Sequence, residues 1–578
     1  MSLEEIADIV NKLNLKRNVN FELCDSTRPK YLCEYSGLVK LATNENLHLR
    51  ISFSEYFPLS LPEIYVDDTS IFRAHVGISG KLCLFDSSAI LVKQNMEGQI
   101  LIDCFDQAMT ILNIVPGSKK YNDEVCREFD SYWMAVRTKK TYSCLNTGDI
   151  LFGEYPMVIS KGISVVANTK NEAEAILQNN FELTIDQDTF ERTCIVVRIR
   201  NSSSMIPLAK QYKWSTIRRY ITENTSSSVK RQFRKFINKK VKHFIRYLLL
   251  IYPAKDGEIL FGFRLEFNNS RFSKIENSLS CKVENTFCER LDYNYLLSRG
   301  GAASSLKNKS VLLLGCGSVG GYIANDLCQV GITNLDILDD DFFQAENIHR
   351  HLLGFDSLQP NQYKYKSDLV KKELESKFLY ADIDSMNFAD RSVQAFIQEP
   401  LRLSHYDLII SALGEPTLNL EINKILVSHN IDTPFLCCFN EPYGIGGHVI
   451  ISNIDKHSCM QCLYTDPISS ELVPFRGSLV APDQIFKKNL SGCSSSFVPY
   501  SCLDSQQTAI YASRKSIEIL TGKLMHNQII TWFGNADEFL SKGFAVSEFY
   551  TNNHQKKYFE SAINTSKNCP VCTKTFEG

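Results

Sequence analysis

Three groups of residues in this 578-residue chain are of types and spacings that could do chemistry. The first is Gly315-Cys316-Gly317-Ser318-Val319-Gly320, which follows the apolar run Ser310–Leu314 and opens a helical pattern at Gly320. Glycines so spaced permit a tight turn and close backbone approach, so that phosphates rest on a helix N-terminus. NAD, FAD and ATP all suit such a turn, and the lysine of a Walker-type loop is absent. The next apolar run ends Leu338-Asp339-Asp340-Asp341, where an acid about 20 residues past the glycines is placed to accept hydrogen bonds from ribose hydroxyls. Glu346-Asn347-Ile348-His349-Arg350 follows, then Lys364 and Lys366. A dehydrogenase has no need of an amide, a guanidinium and an ammonium in this order. An enzyme that handles a triphosphate does, because departing pyrophosphate carries charge that cations stabilise.

The second group is two Cys-x-x-Cys pairs, Cys459 with Cys462 and Cys569 with Cys572. Zinc prefers four thiolates in a tetrahedron, and such pairs supply two each, in a closed site whose role is structural. The third group is single cysteines. Cys493 lies in the small, polar segment Leu-Ser-Gly-Cys-Ser-Ser-Ser, where a thiol is accessible; Cys502 is the alternative, and a helix is expected to begin near Asp504. Cys83 lies in Gly80-Lys81-Leu82-Cys83-Leu84.

The segment from Gly315 to Lys366 resembles the adenylation domain of ubiquitin-activating enzymes and their bacterial sulfur-carrier-activating relatives. Their pattern is Gly-x-Gly-x-x-Gly, Asp-x-Asp, Asn-Leu-x-Arg-Gln and a Lys. The resemblance implies that Asp339 meets the ribose and that Asn347, Arg350 and Lys366, with Lys364 as the alternative, meet the phosphates. It implies that Arg299, in Leu-Leu-Ser-Arg-Gly-Gly, reaches ATP, often across a dimer. It also raises the zinc reading of the four cysteines and places a thioester cysteine at Cys493. Two departures stand out. His351 replaces the Gln, and Gly414-Glu415 stands where the family carries an Asp for magnesium and ATP.

Near the start, Tyr56-Phe57-Pro58-Leu59-Ser60-Leu61-Pro62 and His75-Val76-Gly77 precede Cys83. This resembles the ubiquitin-conjugating fold, whose signature is Tyr-Pro-x-x-Pro-Pro, His-Pro-Asn and Gly-x-Ile-Cys-Leu. The match implies that Cys83 accepts an acyl group by thiol exchange. The Asn is absent here, which leaves the oxyanion donor to another residue. A conjugating-type and an activating-type region in one chain resembles the fusion enzymes of cyclic-oligonucleotide antiphage signalling (CBASS) operons. What that resemblance implies is ATP-dependent adenylation of a protein C-terminal carboxylate, capture on Cys493, transfer to Cys83 and ligation to an amine. The expected substrate is a protein with a glycine-like C-terminus, either a cyclic-nucleotide synthase or a ubiquitin-like carrier. ATP, magnesium and structural zinc are the expected cofactors, and a homodimer through the adenylation domain is expected. A sulfur-carrier adenylyltransferase, a NAD-dependent oxidoreductase and a degenerate nucleotide-binding scaffold are the alternatives.

Three zones position these groups. Residues 1–140 read as an α+β, ubiquitin-conjugating-like domain: Leu3, Ile6, Ile9, Val10 and Leu13 recur at helical spacing, strands are expected at 31–41 and 47–53, and a helix at 100–112. Residues 141–285 read as a mixed α/β linker domain, with strands at 193–199 and 259–267. Between them Phe233, Phe236, Val241, Phe244 and Leu248 continue a helical spacing through the basic segment 230–246. That segment reads as a surface helix with a solvated basic face, the alternative being a docking face for an acidic partner or a nucleotide. Residues 286–578 alternate buried strands (Ser310–Leu314, Asn334–Leu338, 407–411, 433–438) with helical patterns, the mark of an α/β doubly wound parallel sheet. A formal net charge of −2 argues against nucleic acid as the main partner of the chain. Nineteen cysteines, an odd number without an export signal, point to reduced thiols and a cytoplasmic home. No membrane segment is expected.

Overall fold

The computed structural model describes residues 1–25, 28–69, 73–85, 96–136, 139–200, 205–206, 211–238, 245–255, 257–267, 281–300, 304–359, 362–386, 397–469, 471–486, 488–489, 496–497 and 499–573. Two compact units divide at Asp292 and Tyr293.

The first unit opens with helix α1 (Leu3–Arg17), whose start is fixed by a capping box between Ser2 and Glu5 and whose end is turned by left-handed Asn18. Its inward stripe is Ile6, Ile9, Val10 and Leu13, as the spacing predicts. An antiparallel meander follows: β1 (Phe21–Cys24), β2 (Cys33–Lys40), β3 (Asn46–Phe53) and β4 (Glu63–Val66), in that order. One face of it, with Leu49, Ile51, Phe53 and Ile64, packs with α1 and with α2 (Glu97–Leu112), which contributes Leu101, Phe105 and Ala108. Two short helices come next, α3 (Lys119–Arg127) and α4 (Phe129–Val136).

Residues 139–290 of this unit build a closed seven-stranded barrel, in the order β10-β11-β5-β7-β6-β8-β9. Its strands are β5 (Lys139–Ser143), β6 (Phe152–Ser160), β7 (Ile163–Val166), β8 (Phe190–Arg198), β9 (Ile245–Ala254), β10 (Gly257–Phe267) and β11 (Cys281–Arg290). The alternation along them is plain. Cys194, Val196, Leu249 and Ile251 share one core, while Ile195, Val197, Leu248 and Leu250 pack in another with Phe129 and Trp133 of α4. A strand with a core on each side reads as an unbroken apolar run, which is why β9 shows no period of two. This corrects the helical phase through 230–248. Helix α7 (Ser227–Ile237) carries Phe233 and Phe236, Val241 and Phe244 lie outside the described residues, and Leu248 belongs to β9. The expected boundary at 285/286 falls inside β11.

The second unit is a single eight-stranded sheet in the order β14-β13-β12-β15-β16-β17-β20-β21. β12 (Ser310–Leu314), β13 (Asn334–Leu338), β14 (Asp382–Met386), β15 (Leu408–Ser411) and β16 (Phe435–Asn440) are parallel. The expectation of a parallel sheet fails beyond them: β17 (Gly446–Ser452), β20 (Gln528–Phe533) and β21 (Tyr558–Ala562) are antiparallel, because β17 returns from β16 through a short turn rather than a crossover helix. Two-residue β18 (Lys488–Asn489) and β19 (Ser496–Phe497) form a separate ribbon. The sheet is covered on both faces. Leu313 and Ile337 pack with α9 (Gly320–Gln329), α10 (Lys366–Lys377) and the helix Cys502–Leu520, whereas Leu312 and Leu314 pack with the helix Pro416–Ser428 and the four paired cysteines.

Candidate functional site

The strand order reverses between β12 and β15, so the crevice beyond their C-terminal ends is where an open α/β sheet takes its ligand. The glycine turn sits there, and its three glycines answer to three different needs. Gly315 has φ +82°, and a Cβ on it would meet Leu413 Cδ2 at 3.1 Å and the Ala412 carbonyl at 3.2 Å. A Cβ on Gly320 would lie 1.9 Å from the Gly315 carbonyl, so the first turn of α9 rests directly on the loop. A Cβ on Gly317 would meet nothing within 4 Å, which leaves that backbone open to an approaching group.

Asp339, at the end of β13 and 8% exposed, braces this turn from the side. Its Oδ2 accepts from the Cys316 N–H at 2.7 Å and its Oδ1 from the Asp341 N–H at 3.0 Å. Burial pushes its carboxyl above the ordinary range, partly offset by Lys366 and by the two amides. Lys366 opens α10, is largely buried, and pairs its Nζ with Asp341 Oδ2 at 2.7 Å. Lys364 gives its carbonyl to the Phe343 N–H, and its side chain lines a separate groove of about 340 Å³ with Tyr363, Gln344 and Glu346. Asn347 closes a short turn, its Oδ1 accepting from the Gln344 N–H at 2.9 Å. Arg350 is half-buried at the end of the same segment.

His351, the departure from the family's Gln, is 5% exposed and directly engages the turn. Its Nδ1 accepts from the Leu353 N–H at 3.1 Å, so the ring proton sits on Nε2 and is donated to the Cys316 carbonyl at 2.8 Å. Burial and the charge of Lys366 lower its pKa to about 4, which keeps it neutral. Cys316 is thus held on both sides, by Asp339 at its N–H and His351 at its carbonyl. Sequence reasoning missed this second brace; the signal available was a polar residue in a buried stretch. Opposite the turn, Gly414 has φ +67° and Glu415 is exposed at the N-cap of the helix Pro416–Ser428, making no side-chain cap bond. No carboxylate occupies the Asp position, and Asp341 is engaged by Lys366. Among the described residues, a set to hold magnesium by the family's pattern is therefore not assembled. Arg299 lies on the helix Tyr293–Gly300, and its side chain is outside the described residues.

Cys493 also lies outside the described residues, as do 490–495. The chain that follows it is tied to the turn: Tyr500 and Ser318 join hydroxyls at 3.1 Å. Cys502, half-buried, is the first residue of its helix, which is capped by Ser501 and Asp504. The four paired cysteines are buried, with all sulfurs within 4.8 Å of one another. Cys459 and Cys569 are 3.7 Å apart and Cys462 and Cys572 3.5 Å, too long for disulfides, whereas sulfurs at about 2.3 Å from one zinc ion in a tetrahedron stand at about this spacing. The donor set fits structural zinc.

In the first unit, Cys83 is exposed at the end of a tight hairpin whose turn is Gly77–Gly80. Its N–H donates to the His75 carbonyl at 2.8 Å, and Val76 bridges Leu82. His75 has φ +59°; its N–H donates to the Tyr132 hydroxyl, and its Nε2 lies 3.2 Å from Glu124 Oε2. Neither Tyr132 nor Glu124 was among the residues singled out by sequence.

Residues 293–571 match the ThiF family, an adenylyltransferase family. The ATP-dependent ubiquitin transferase-like protein Cap2 of Pseudomonas aeruginosa is 23% identical over 466 residues, covering 78% of this chain and 80% of that protein. The protein of the same name from Escherichia coli is 24% identical over 540 residues, covering 83% and 85%. The adenylyltransferase and sulfurtransferase UBA4 of Scheffersomyces stipitis is 25% identical over 205 residues, covering 33% of this chain and 43% of that protein. Among solved structures, E. coli MccB with ATP matches at 16% identity and a TM-score of 0.32, covering 48% of this chain and 69% of that chain. This chain is thus a homologue of Cap2 proteins over most of its length and carries a ThiF domain. Among the described residues, no helix is long and apolar enough to cross a membrane.

Proposed function

We propose that this chain uses ATP to adenylate the C-terminal carboxylate of a protein, captures the acyl group on Cys493, passes it to Cys83 and ligates it to an amine. The observation that carries the first step is the glycine turn at the strand-order reversal, with buried Asp339 at its side and Lys366 at the start of α10. Asp339 receives the ribose hydroxyls. The open backbone at Gly317 admits the phosphates, and Asn347, Arg350 and Lys366 offset the charge that grows on departing pyrophosphate. Lys366 is bound to Asp341 in the resting chain, so a triphosphate takes it over from that carboxylate. Arg299 of a second copy completes the cation set in a homodimer.

The tie between Tyr500 and Ser318 supports Cys493 as the first thiol, because it holds a residue seven positions after that cysteine at the glycine turn. A thiolate attacks the acyl adenylate, expels AMP and forms a thioester. Exposed Cys83 receives the acyl group by thiol exchange, and joining both thiols in one chain raises the effective concentration of the second for the first. In this reading residues 1–136 are the conjugating domain, the barrel of residues 139–290 a linker and residues 293–578 the activating domain. Zinc held by Cys459, Cys462, Cys569 and Cys572 fastens the end of the chain to the sheet. The acyl donor is the cyclic-nucleotide synthase of a CBASS operon, as the resemblance of the sequence to the fusion enzymes of those operons implies.

ATP–pyrophosphate exchange, with and without a carrier ending in glycine, tests the first step. Exchange that needs the carrier and disappears with Asp339→Ala and Lys366→Ala is expected; none with any carrier would sink the reading. The resemblance to UBA4 favours one second reading, a sulfur-carrier adenylyltransferase. There the acyl group would never reach Cys83, which peptide mass mapping of the ATP-charged chain decides.

A further inference from the structure

The hairpin that carries Cys83 has an asymmetry. His75 and Cys83 stand opposite each other across it, since Val76 bridges Leu82 and the Cys83 N–H donates to the His75 carbonyl. A pair joined by a backbone hydrogen bond holds its Cα atoms about 5.5 Å apart, which keeps the imidazole and the thiol in one neighbourhood. A regular ladder would also spend the His75 N–H on Cys83. Instead His75 is turned to φ +59°, and its N–H goes to the Tyr132 hydroxyl. Tyr132 is 5% exposed and, among the described residues, no acceptor takes its own phenolic proton. Burial pushes that phenol upward, and Cys83 is among the charges it feels.

The imidazole is oriented as well. Glu124 Oε2 lies 3.2 Å from His75 Nε2, and the same carboxylate takes Arg127 Nη1 at 3.1 Å. A carboxylate only accepts, so the ring proton is on Nε2 and Nδ1 is the basic nitrogen. Nδ1 has no partner among the described residues. The charged and titratable groups of this cluster are Glu124 at the ring, Arg127 on Glu124, and Glu128, Tyr121 and Cys83 about the Tyr132 phenol; nearby Arg73 is paired with Glu45 and Lys81 with Glu63. A thiol beside an imidazole that a carboxylate orients places a base near the carbonyl of any thioester formed on that thiol.

We propose that His75 is the general base that removes the proton from the amine attacking the Cys83 thioester, with Glu124 and Tyr132 as its positioning residues. This rests on the reading of Cys83 as an acyl carrier. The amine nitrogen bonds to the thioester carbon, and its surplus proton passes to His75 Nδ1. The tetrahedral adduct collapses, the carbon–sulfur bond breaks with its electron pair on sulfur, and the imidazolium returns the proton to the thiolate. The products are an amide and a free thiol, with no oxidant or reductant. The acceptor is an uncharged primary amine at a hairpin open to solvent.

The test separates discharge from loading. The full chain is acylated without ATP by the 2-mercaptoethanesulfonate thioester of glycylglycine. The loaded residue is located by peptide mass mapping with Cys83→Ser as blank, and thioester loss to free lysine is followed across pH. His75→Asn is the main variant, because Asn tolerates positive φ and so keeps the hairpin. It is expected to load normally and to discharge about 100-fold more slowly. Wild type, corrected for the free-base fraction of lysine, should show an inflection with pH that the variant lacks. Glu124→Gln should slow discharge and Glu124→Asp restore it. Discharge of His75→Asn at the wild-type rate, or a wild-type profile without the inflection, overturns the assignment, and the second readout needs no variant to fold. If Cys83 loads and discharges as described but is never charged with ATP and a carrier, the relay falls while the base stands.

Discussion

The glycine turn of the second unit and the Cys83 hairpin of the first are built on opposite plans. In the turn, the main chain is the site: Gly315, Gly317 and Gly320 shape it, and Asp339 and His351 act by holding the two polar atoms of the Cys316 backbone. In the hairpin, side chains make the site: His75, Glu124 and Tyr132 come from two helices and a loop, and the main chain presents them. A backbone site fails through any added atom in the wrong place. A side-chain site fails through loss of a functional group. Substitutions that respect this division should have sharply unequal effects.

The largest effect expected is from Gly320→Val. Its Cβ would fall 1.9 Å from the Gly315 carbonyl, a clash of backbone with side chain that no rotamer relieves. The loss should reach or exceed the upper end of the about 1–3 kcal/mol typical of overpacking. Thermal unfolding of the second unit checks it, and an unchanged melting temperature would break the contrast. Acid comes next. The unfolded chain binds a proton on His351 as pH falls through about 6.5, while the folded chain refuses it until about 4. Stability therefore declines across that window and levels off beneath it, by about 3 kcal/mol in all. Asp339, raised by burial, works the other way near the foot of the window, so His351→Gln isolates the imidazole. Denaturant midpoints of the two proteins should converge as pH falls from 7 to 4; parallel curves would refute the buried neutral ring.

Smaller is Tyr132→Phe, which leaves the His75 N–H without its acceptor beside a buried ring. A cost of about 1–3 kcal/mol is expected. Loading of Cys83 should persist, which a urea titration run beside the thioester assay would report. Smallest is Gly317→Ala, where the new methyl meets nothing within 4 Å and stability should stay within about 0.5 kcal/mol. ATP–pyrophosphate exchange should nevertheless drop, since that open space is the one left for phosphates. Full exchange activity in this variant would move the phosphates elsewhere.

The same division explains what could be read in advance. A backbone site demands glycines at fixed spacing, so the turn and Asp339 were legible from residues alone. The paired cysteines were legible because ligand spacing within each pair is short. Glu124 and Tyr132 carry no such mark: on α3 and α4 they look like any surface acid and any buried aromatic, and only the fold brings them to His75. The barrel was hidden for a related reason. With a core on both sides, Tyr247–Tyr252 of β9 loses the alternation that identifies a strand, and its leucines fell into phase with α7 by coincidence. The turn from β16 to antiparallel β17 likewise has no signature in the apolar run that follows it.

The four-thiol clasp joins positions 110 residues apart in the chain. On a ribosome adding about 5–20 residues per second, the first pair therefore waits roughly 5–20 s for the second to be synthesised. Throughout that interval Cys459 and Cys462 are half a coordination shell, open to oxidation or to a metal held by only two ligands. The edge strand β21 emerges in the same late stretch. The four-thiol core of the second unit thus forms only once Cys569 and Cys572 have been made.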